Sequence, residues 1–263
     1  QIAPAEKRAT ILGLYATALA SGFGAGGLLL AVLGSTGPDP WIAGFCLFSI
    51  GTLPIILLRG PGIEQPDAES ASFKAMIRAA GYAPAAIGAG LLFGATETIF
   101  FSLFPVYGER IGLLDSSIGF MMAAGALGGI ALQTPLGRLA DHAGRLRITV
   151  LATLVCIVGP GLIFLAGANT LALYAVMFAY VGTATGMYTL GLAMIGERFD
   201  GGSMAAANAA FVMDYGVGSL AGPAAGGVGM DAMNPQGVLI VTSGIAVIYL
   251  VFLAVRQIQR RPA

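Results

Sequence analysis

Two carboxylates lie deep inside apolar sequence. Glu97, in Ala95-Thr96-Glu97-Thr98, and Asp214, in Met213-Asp214-Tyr215-Gly216, each fall near the middle of a long apolar run, and neither run holds a basic residue that could neutralise it. A charge at the centre of a bilayer is costly, so an acid there is a functional candidate by default. Apolar surroundings disfavour the charged form of a carboxyl, which suits reversible protonation. The plainer alternative is a neutral acid hydrogen-bonded between helices; for Asp214 a bond to backbone or a tyrosine stands level with a functional role. Gln133, Tyr188 and Asn208 are further polar side chains in such runs. Each reads first as a helix-to-helix hydrogen bond and second as a substrate contact.

The runs that carry these groups are membrane spans by composition. Of the residues 57% are hydrophobic and only 10% charged, against about 25% charged in a soluble domain, so there is too little polar surface to face water. Forty glycines and thirteen prolines suit packed membrane helices, which tolerate both. A net charge of zero gives no case for a nucleic-acid partner. Cys46 and Cys156 lie in apolar runs and read as small packing residues. The chain begins with Gln1 and shows no signal peptide before its first apolar run, which suggests a trimmed N-terminus or a fragment.

A span needs about 20 apolar residues. Eight segments qualify: 10–34, 40–59, 83–107, 116–138, 147–167, 170–196, 203–229 and 237–256. Breakers fill the gaps, among them Gly37-Pro38-Asp39-Pro40, Gly60-Pro61-Gly62, Gly108-Glu109-Arg110, Gly201-Gly202 and Asn234-Pro235-Gln236. With the N-terminus in the cytoplasm, twelve of the thirteen Lys and Arg fall on the cytoplasmic side and only Arg110 outside. That bias fixes the orientation and puts both ends of the chain in the cytoplasm. Trp41 and Tyr107, at span ends, read as interfacial aromatics. In the polar stretch 60–82, Phe73, Met76, Ile77 and Ala80 share one helical face while Lys74 and Arg78 point elsewhere, and Asp67, Glu69 and Ser70 suit the helix start. A short amphipathic helix on the inner leaflet is predicted, with a disordered linker as the alternative.

The fourth and fifth spans are joined by Gly137-Arg138-Leu139-Ala140-Asp141-His142-Ala143-Gly144-Arg145-Leu146-Arg147. This resembles the G-x-L-a-D-r-x-G-r-r signature of the major facilitator superfamily, with His142 where a basic residue is usual. Gly137 and Gly144 would permit a tight turn, Asp141 would be a buried acid facing the positive end of a neighbouring helix, and Arg145 and Arg147 would hold the loop at the cytoplasmic face. In that family the loop is a conformational latch; the alternative is a basic loop that only sets topology. The seventh span carries Gly218-Ser219-Leu220-Ala221-Gly222-Pro223-Ala224-Ala225-Gly226-Gly227, similar to the family's G-x-x-x-G-P-x-x-G-G pattern. Gly218, Gly222, Gly226 and Gly227 would let helices touch, and Pro223 would remove a backbone bond and bend the rod. The first span has a looser version, Gly22-Phe23-Gly24-Ala25-Gly26-Gly27.

The resemblance implies an all-α polytopic membrane protein with the fold of these transporters. It makes residues 1–59 helices five and six of twelve, residues 60–82 the central cytoplasmic loop, and residues 83–263 the complete C-terminal six-helix bundle. It also implies that four helices are missing from the sequence, and it places Asp141 near Ala9–Gly13. Helix seven lines the central cavity in this superfamily, which makes Glu97 the proton-coupling or cation-binding carboxylate and Asp214 its less certain companion. The function implied is secondary active transport of a small molecule by alternating access, proton-coupled, in a bacterial inner membrane, monomeric at full length. The alternatives are a drug or lipid exporter of the same fold, or a non-transporting sensor. Partners are therefore a small-molecule substrate, protons and the bilayer. No cofactor or metal is called for, and neither H-E-x-x-H nor a phosphate-binding G-x-x-x-x-G-K-[ST] occurs, so an enzyme is not expected. Sugar uptake is disfavoured because the spans hold few Asn, Gln and Trp.

Overall fold

The computed structural model describes residues 29, 33, 37–57 and 72–259, and every regular element among them is an α-helix. The chain divides into two compact units, Gln1–Gln65 and Pro66–Ala263. In the first, α1 spans Asp39–Leu57 with Asp39 in its first turn, where a negative charge meets the positive helix end. Its start is tied by Ile42 N–H to the Pro38 carbonyl at 3.0 Å. The span predicted over 10–34 falls almost wholly outside the described residues.

The second unit holds α2 (Phe73–Tyr82), α3 (Pro84–Arg110), α4 (Asp115–Ala143), α5 (Arg145–Ala166), α6 (Thr170–Gly196), α7 (Gly201–Ala232) and α8 (Gly237–Gln259). Ser72 caps α2: its Oγ accepts from the Ala75 N–H at 3.3 Å. The residues predicted to start that helix, Asp67, Glu69 and Ser70, lie outside the described residues. The predicted apolar face is split. Ala79 is buried, with Ala75, Met76 and Ala80 half-buried around it, whereas Phe73 and Ile77 are exposed. The partner accounts for this: α2 packs on α7, which is rich in small residues and buries Ala206, Ala207 and Ala210, so small side chains dock and the large ones stay outside. Ala83 alone separates α2 from α3, and Pro84 opens α3. A residue before proline avoids the helical region, which makes this a corner rather than a continuous rod.

Several helix ends overrun the apolar segments. α3 continues through Gly108-Glu109-Arg110, α4 reaches Ala143, and α7 begins at Gly201, one of the predicted breakers, with φ +53°. Apolarity marks the thickness of hydrocarbon, not the point at which backbone hydrogen bonding stops, so polar residues at the membrane edge extend the rods. Among the described residues α3, α4, α5, α6 and α8 are long and apolar enough to cross a membrane. α7 is richer in Gly and Ala, but its 32 residues, at about 1.5 Å each, exceed the ~30 Å hydrocarbon core.

Within this unit α3 packs chiefly on α7 and α4 on α6, while α5 and α8 flank them. Lipid tails are as apolar as leucine, so association rests on close packing and interhelical hydrogen bonds. Glycine supplies the closeness in both pairs. A Cβ on Gly182 would stand 2.5 Å from the Gly128 carbonyl oxygen, and one on Gly218 would strike the Leu91 carbonyl. Most hydroxyls are satisfied within their own helix: Thr96 donates to Leu92 O at 2.8 Å, Thr153 to Thr149 O at 2.7 Å and Thr242 to Val238 O at 2.6 Å. That leaves few polar groups reaching between helices, and those few mark where chemistry can occur.

The helices alternate in direction. One end of the bundle carries Tyr82, Arg145, Glu197 and Arg198; the other carries Arg110 and Asn234, joined Nη1 to Oδ1 at 2.7 Å. Among the described residues every Lys and Arg of this unit except Arg110 lies at the first end.

Candidate functional site

The carboxyl of Glu97, half-buried in α3, accepts a hydrogen bond at Oε2 from the Tyr215 hydroxyl of α7 at 2.8 Å. Glycine makes this reach possible. Gly94, one turn before Glu97, lies against the Tyr215 carbonyl, while a Cβ on Gly222 would stand 2.7 Å from Ala95 Cα. Any side chain at Gly94, Gly218 or Gly222 would push α7 outward and open the bond. Around the pair runs a chain of rings. Phe93 stacks on Tyr215 with centroids 5.6 Å apart and 27° between planes, and lies 5.3 Å from Tyr188, which meets Phe211 edge-on at 5.4 Å. Phe93 and Phe211 are buried, so they fix the half-buried Tyr188 and Tyr215 from behind. Phe101, one turn beyond Glu97, is 47% exposed.

Asp214 does not join this pair. It is half-buried on α7, with no hydrogen bond or ion pair among the described residues. The residue that reaches Glu97 is its neighbour, Tyr215. Tyr215 carries no local signal, because its partner lies 118 residues away; the available clue was a phenol beside the glycines of a close-packing motif. Gln133 bridges α4 to α6 through Nε2 to Thr189 Oγ1 at 2.9 Å. Asn208 makes no such bridge: it is exposed and has no hydrogen bond among the described residues. Of the motif glycines in α7, Gly218, Gly222 and Gly226 face Leu91, Ala95 and Leu103 of α3, whereas nothing lies within 4 Å of a Cβ built on Gly227. Its register on the helix turns it away from α3. α7 runs on through Pro223.

The stretch predicted as a loop between the fourth and fifth spans is mostly helix. Gly137 and Asp141 lie in the last two turns of α4, and Arg145 and Arg147 in the first turn of α5. Gly144 alone makes the turn, at φ +95°, a backbone state that suits glycine. Gly137 has no part in it and meets only Thr189 Cγ2, at 3.9 Å from its built Cβ. Asp141 is not buried: its side chain is 61% exposed, with Arg145 Nη2 3.3 Å away. A position four residues before Arg145 on the outer side of the turn leaves it in reach of that guanidinium but uncovered. The contact predicted with Ala9–Gly13 lies outside the described residues. Arg145 is the organising group at this end. Its Nε lies 3.3 Å from Glu197 Oε1 and its Nη1 donates to the Ala193 carbonyl in the last turn of α6, a position where a cation also meets the negative helix end. Arg147 is exposed. His142 rests its Nδ1 2.8 Å from Arg138 O.

Cys156 is buried, as a packing residue should be, but Cys46 is exposed on α1. Among the described residues no group of three His, Cys, Asp or Glu could hold a metal ion.

Comparison with known proteins gives a consistent picture. A family model described as Major Facilitator Superfamily matches residues 1–187 and again residues 86–263. An uncharacterized MFS-type transporter, YcaD, from Salmonella heidelberg (strain SL476) is 28% identical over 214 residues, covering 81% of this chain and 54% of its own length. The YcaD proteins of Shigella flexneri and Salmonella typhi are also 28% identical, over 214 and 223 residues. The chain therefore spans about half the length of the curated relatives it matches.

Proposed function

Because this chain belongs to the major facilitator superfamily, we propose that it acts within a proton-coupled secondary transporter, with Glu97 as the coupling carboxylate. The chain is a multi-pass membrane protein of a transporter family; the coupling is our reading. What carries it is the Glu97–Tyr215 bond at 2.8 Å across the α3–α7 contact. A carboxyl in mid-membrane, without a basic residue on its own helix before the terminal Arg110, is stabilised either by a proton or by a bound cation. Tyr215 offers one donor, enough to orient the carboxylate but not to neutralise it.

The remaining parts follow from the same reading. The end rich in Lys and Arg faces the cytoplasm of a bacterial inner membrane. α3 to α8 form one six-helix half, α1 belongs to the other, and α2 lies along the inner leaflet with Phe73 and Ile77 in the acyl boundary and Lys74 and Arg78 at the headgroups. Alternating access exposes the Glu97 site to each side of the membrane in turn, and the Gly144 turn with Asp141, Arg145 and Arg147 latches one conformer. Asp214, Gln133, Tyr188 and Asn208 are secondary contacts, of which Gln133 serves packing.

The test uses the product of the complete reading frame in proteoliposomes containing a pH-sensitive dye. A panel of cationic, neutral and anionic solutes is applied under an imposed proton gradient. Solute-dependent proton flux in the wild type, lost in Glu97→Gln and kept in Leu165→Val on the exposed outer end of α5, is the expected result. Flux that survives Glu97→Gln at full rate sinks the coupling role.

A further inference from the structure

We propose that Glu97, Tyr215, Tyr188 and Phe101 form half of a binding site for a lipophilic organic monocation, held in competition with a proton. The inference rests on the transport reading and adds the substrate class.

Charge narrows the ligand first. Among the described residues of the bundle, every basic side chain lies at a helix end, so the charge this patch can offer is that of the Glu97 carboxyl, with a second carboxyl, Asp214, one residue from Tyr215 on α7. An anion would find no counter-charge there. A neutral polyol would need several amides and hydroxyls, yet the Gln133 amide is already bonded to Thr189 and the Glu97 contact offers a single phenol donor. Ca2+ takes about six to eight oxygen ligands and Mg2+ an octahedron of them, more than a carboxylate with one phenol contributes.

The rings then favour an organic cation. Tyr215 donates its O–H to Glu97 and stacks on buried Phe93 through its ring. Tyr188 is clamped between Phe93 and Phe211 at 5.3 and 5.4 Å. Phe101 adds a ring that is 47% exposed, one turn along α3. A carboxylate bordered by aromatic faces attracts a cation within about 6 Å of a ring, and the apolar body of an organic ion replaces the water the rings exclude. Because the rings are fixed from behind by buried neighbours, little ordering is needed on binding.

Coupling follows from sharing one group. When Glu97 takes up one proton its charge is gone and the cation is released; when the proton leaves, the cation is held again. One proton exchanges for one monocation, and the net charge of the site is unchanged.

The test uses the full reading-frame product in detergent, with tetraphenylphosphonium as probe and its anionic twin tetraphenylborate as control, each corrected for empty micelles. Tetraphenylphosphonium should bind and tetraphenylborate should not. Affinity should fall as pH is lowered, and binding in weakly buffered solution should release up to one proton per probe. Glu97→Gln should weaken binding at least about tenfold and abolish proton release, and Tyr188→Leu or Phe101→Leu should weaken it about 3- to 30-fold. Equal binding of the twin, or binding by the wild type without proton release at any pH, overturns the proposal even if every variant fails to fold. Proton-driven flux of a neutral or anionic solute without tetraphenylphosphonium binding also overturns it and leaves the transport reading intact. Probe binding with proton release but no flux of any solute supports this site and overturns the transport reading.

Discussion

The α3–α7 and α4–α6 contacts are built alike and differ in what they carry. In both, glycines bring backbones together: Gly94, Gly218 and Gly222 in one, Gly128 and Gly182 in the other. Both hold one side-chain bond between helices, Tyr215 to Glu97 at 2.8 Å and Gln133 to Thr189 at 2.9 Å. The second bond joins two neutral groups that change no charge between pH 5 and 9, so it holds helices together. The first joins a phenol to a carboxyl, so its strength depends on whether a proton is present. On the proposed coupling, similar packing gives a strut in one place and a switch in the other, and the difference is a single ionisable group.

Exchanging the chemistry should have the largest effect. Glu97→Gln turns the switch into a second strut, and flux measured in proteoliposomes should fall to background while the thermal midpoint in detergent stays close to the wild type. Gln133→Leu, by contrast, should leave flux measurable. Next in size is the packing itself. Gly218→Val forces a side chain against Leu91 and should cost about 1–3 kcal/mol in reversible unfolding, with loss of coupling because Tyr215 is carried away from Glu97. Gly227→Val, on the same helix but facing open space, should stay within about 0.5 kcal/mol of the wild type. A melting series in which the two glycines behave alike would break the argument for close approach. Removing one hydroxyl is subtler. Tyr215→Phe should cost about 0.5–1.5 kcal/mol and displace the pH midpoint of flux. The smallest effect should be Thr189→Val, about 0.6 kcal/mol, with the pH profile of flux unchanged. An identical pH displacement in both variants would erase the distinction between the two contacts.

How much of this could be read from residues alone depended on the range of the interaction. Glu97 was legible because an acid in an apolar run violates a local rule. The Gln133 bridge was legible as a kind of bond, though not its partner. Tyr215 was hidden: nothing near it in the chain specifies Glu97, and the adjacent Asp214 drew attention by breaking the same rule without meeting a partner among the described residues. The helices themselves came from apolar length, but their ends did not, since α3, α4 and α7 continue past the apolar segments by backbone hydrogen bonding. The α2 face was half legible. Its amphipathic spacing predicted a helix, yet whether Ala79 or Phe73 turns inward depends on how small the side chains of α7 are, and no local pattern states that. Asp141 was placed by motif in a buried setting, whereas the single-residue turn leaves it largely exposed.

That turn has a mechanical side. With Gly144 as the whole connection, the facing ends of α4 and α5 have no slack between them, and Arg145 fastens the same corner to the final turn of α6. A tilt imposed on any one of these rods is handed to the other two instead of being absorbed by a flexible strap, so the corner behaves as a rigid bracket. Splicing a few flexible residues after Gly144 would turn the bracket into a loose joint while leaving each helix intact.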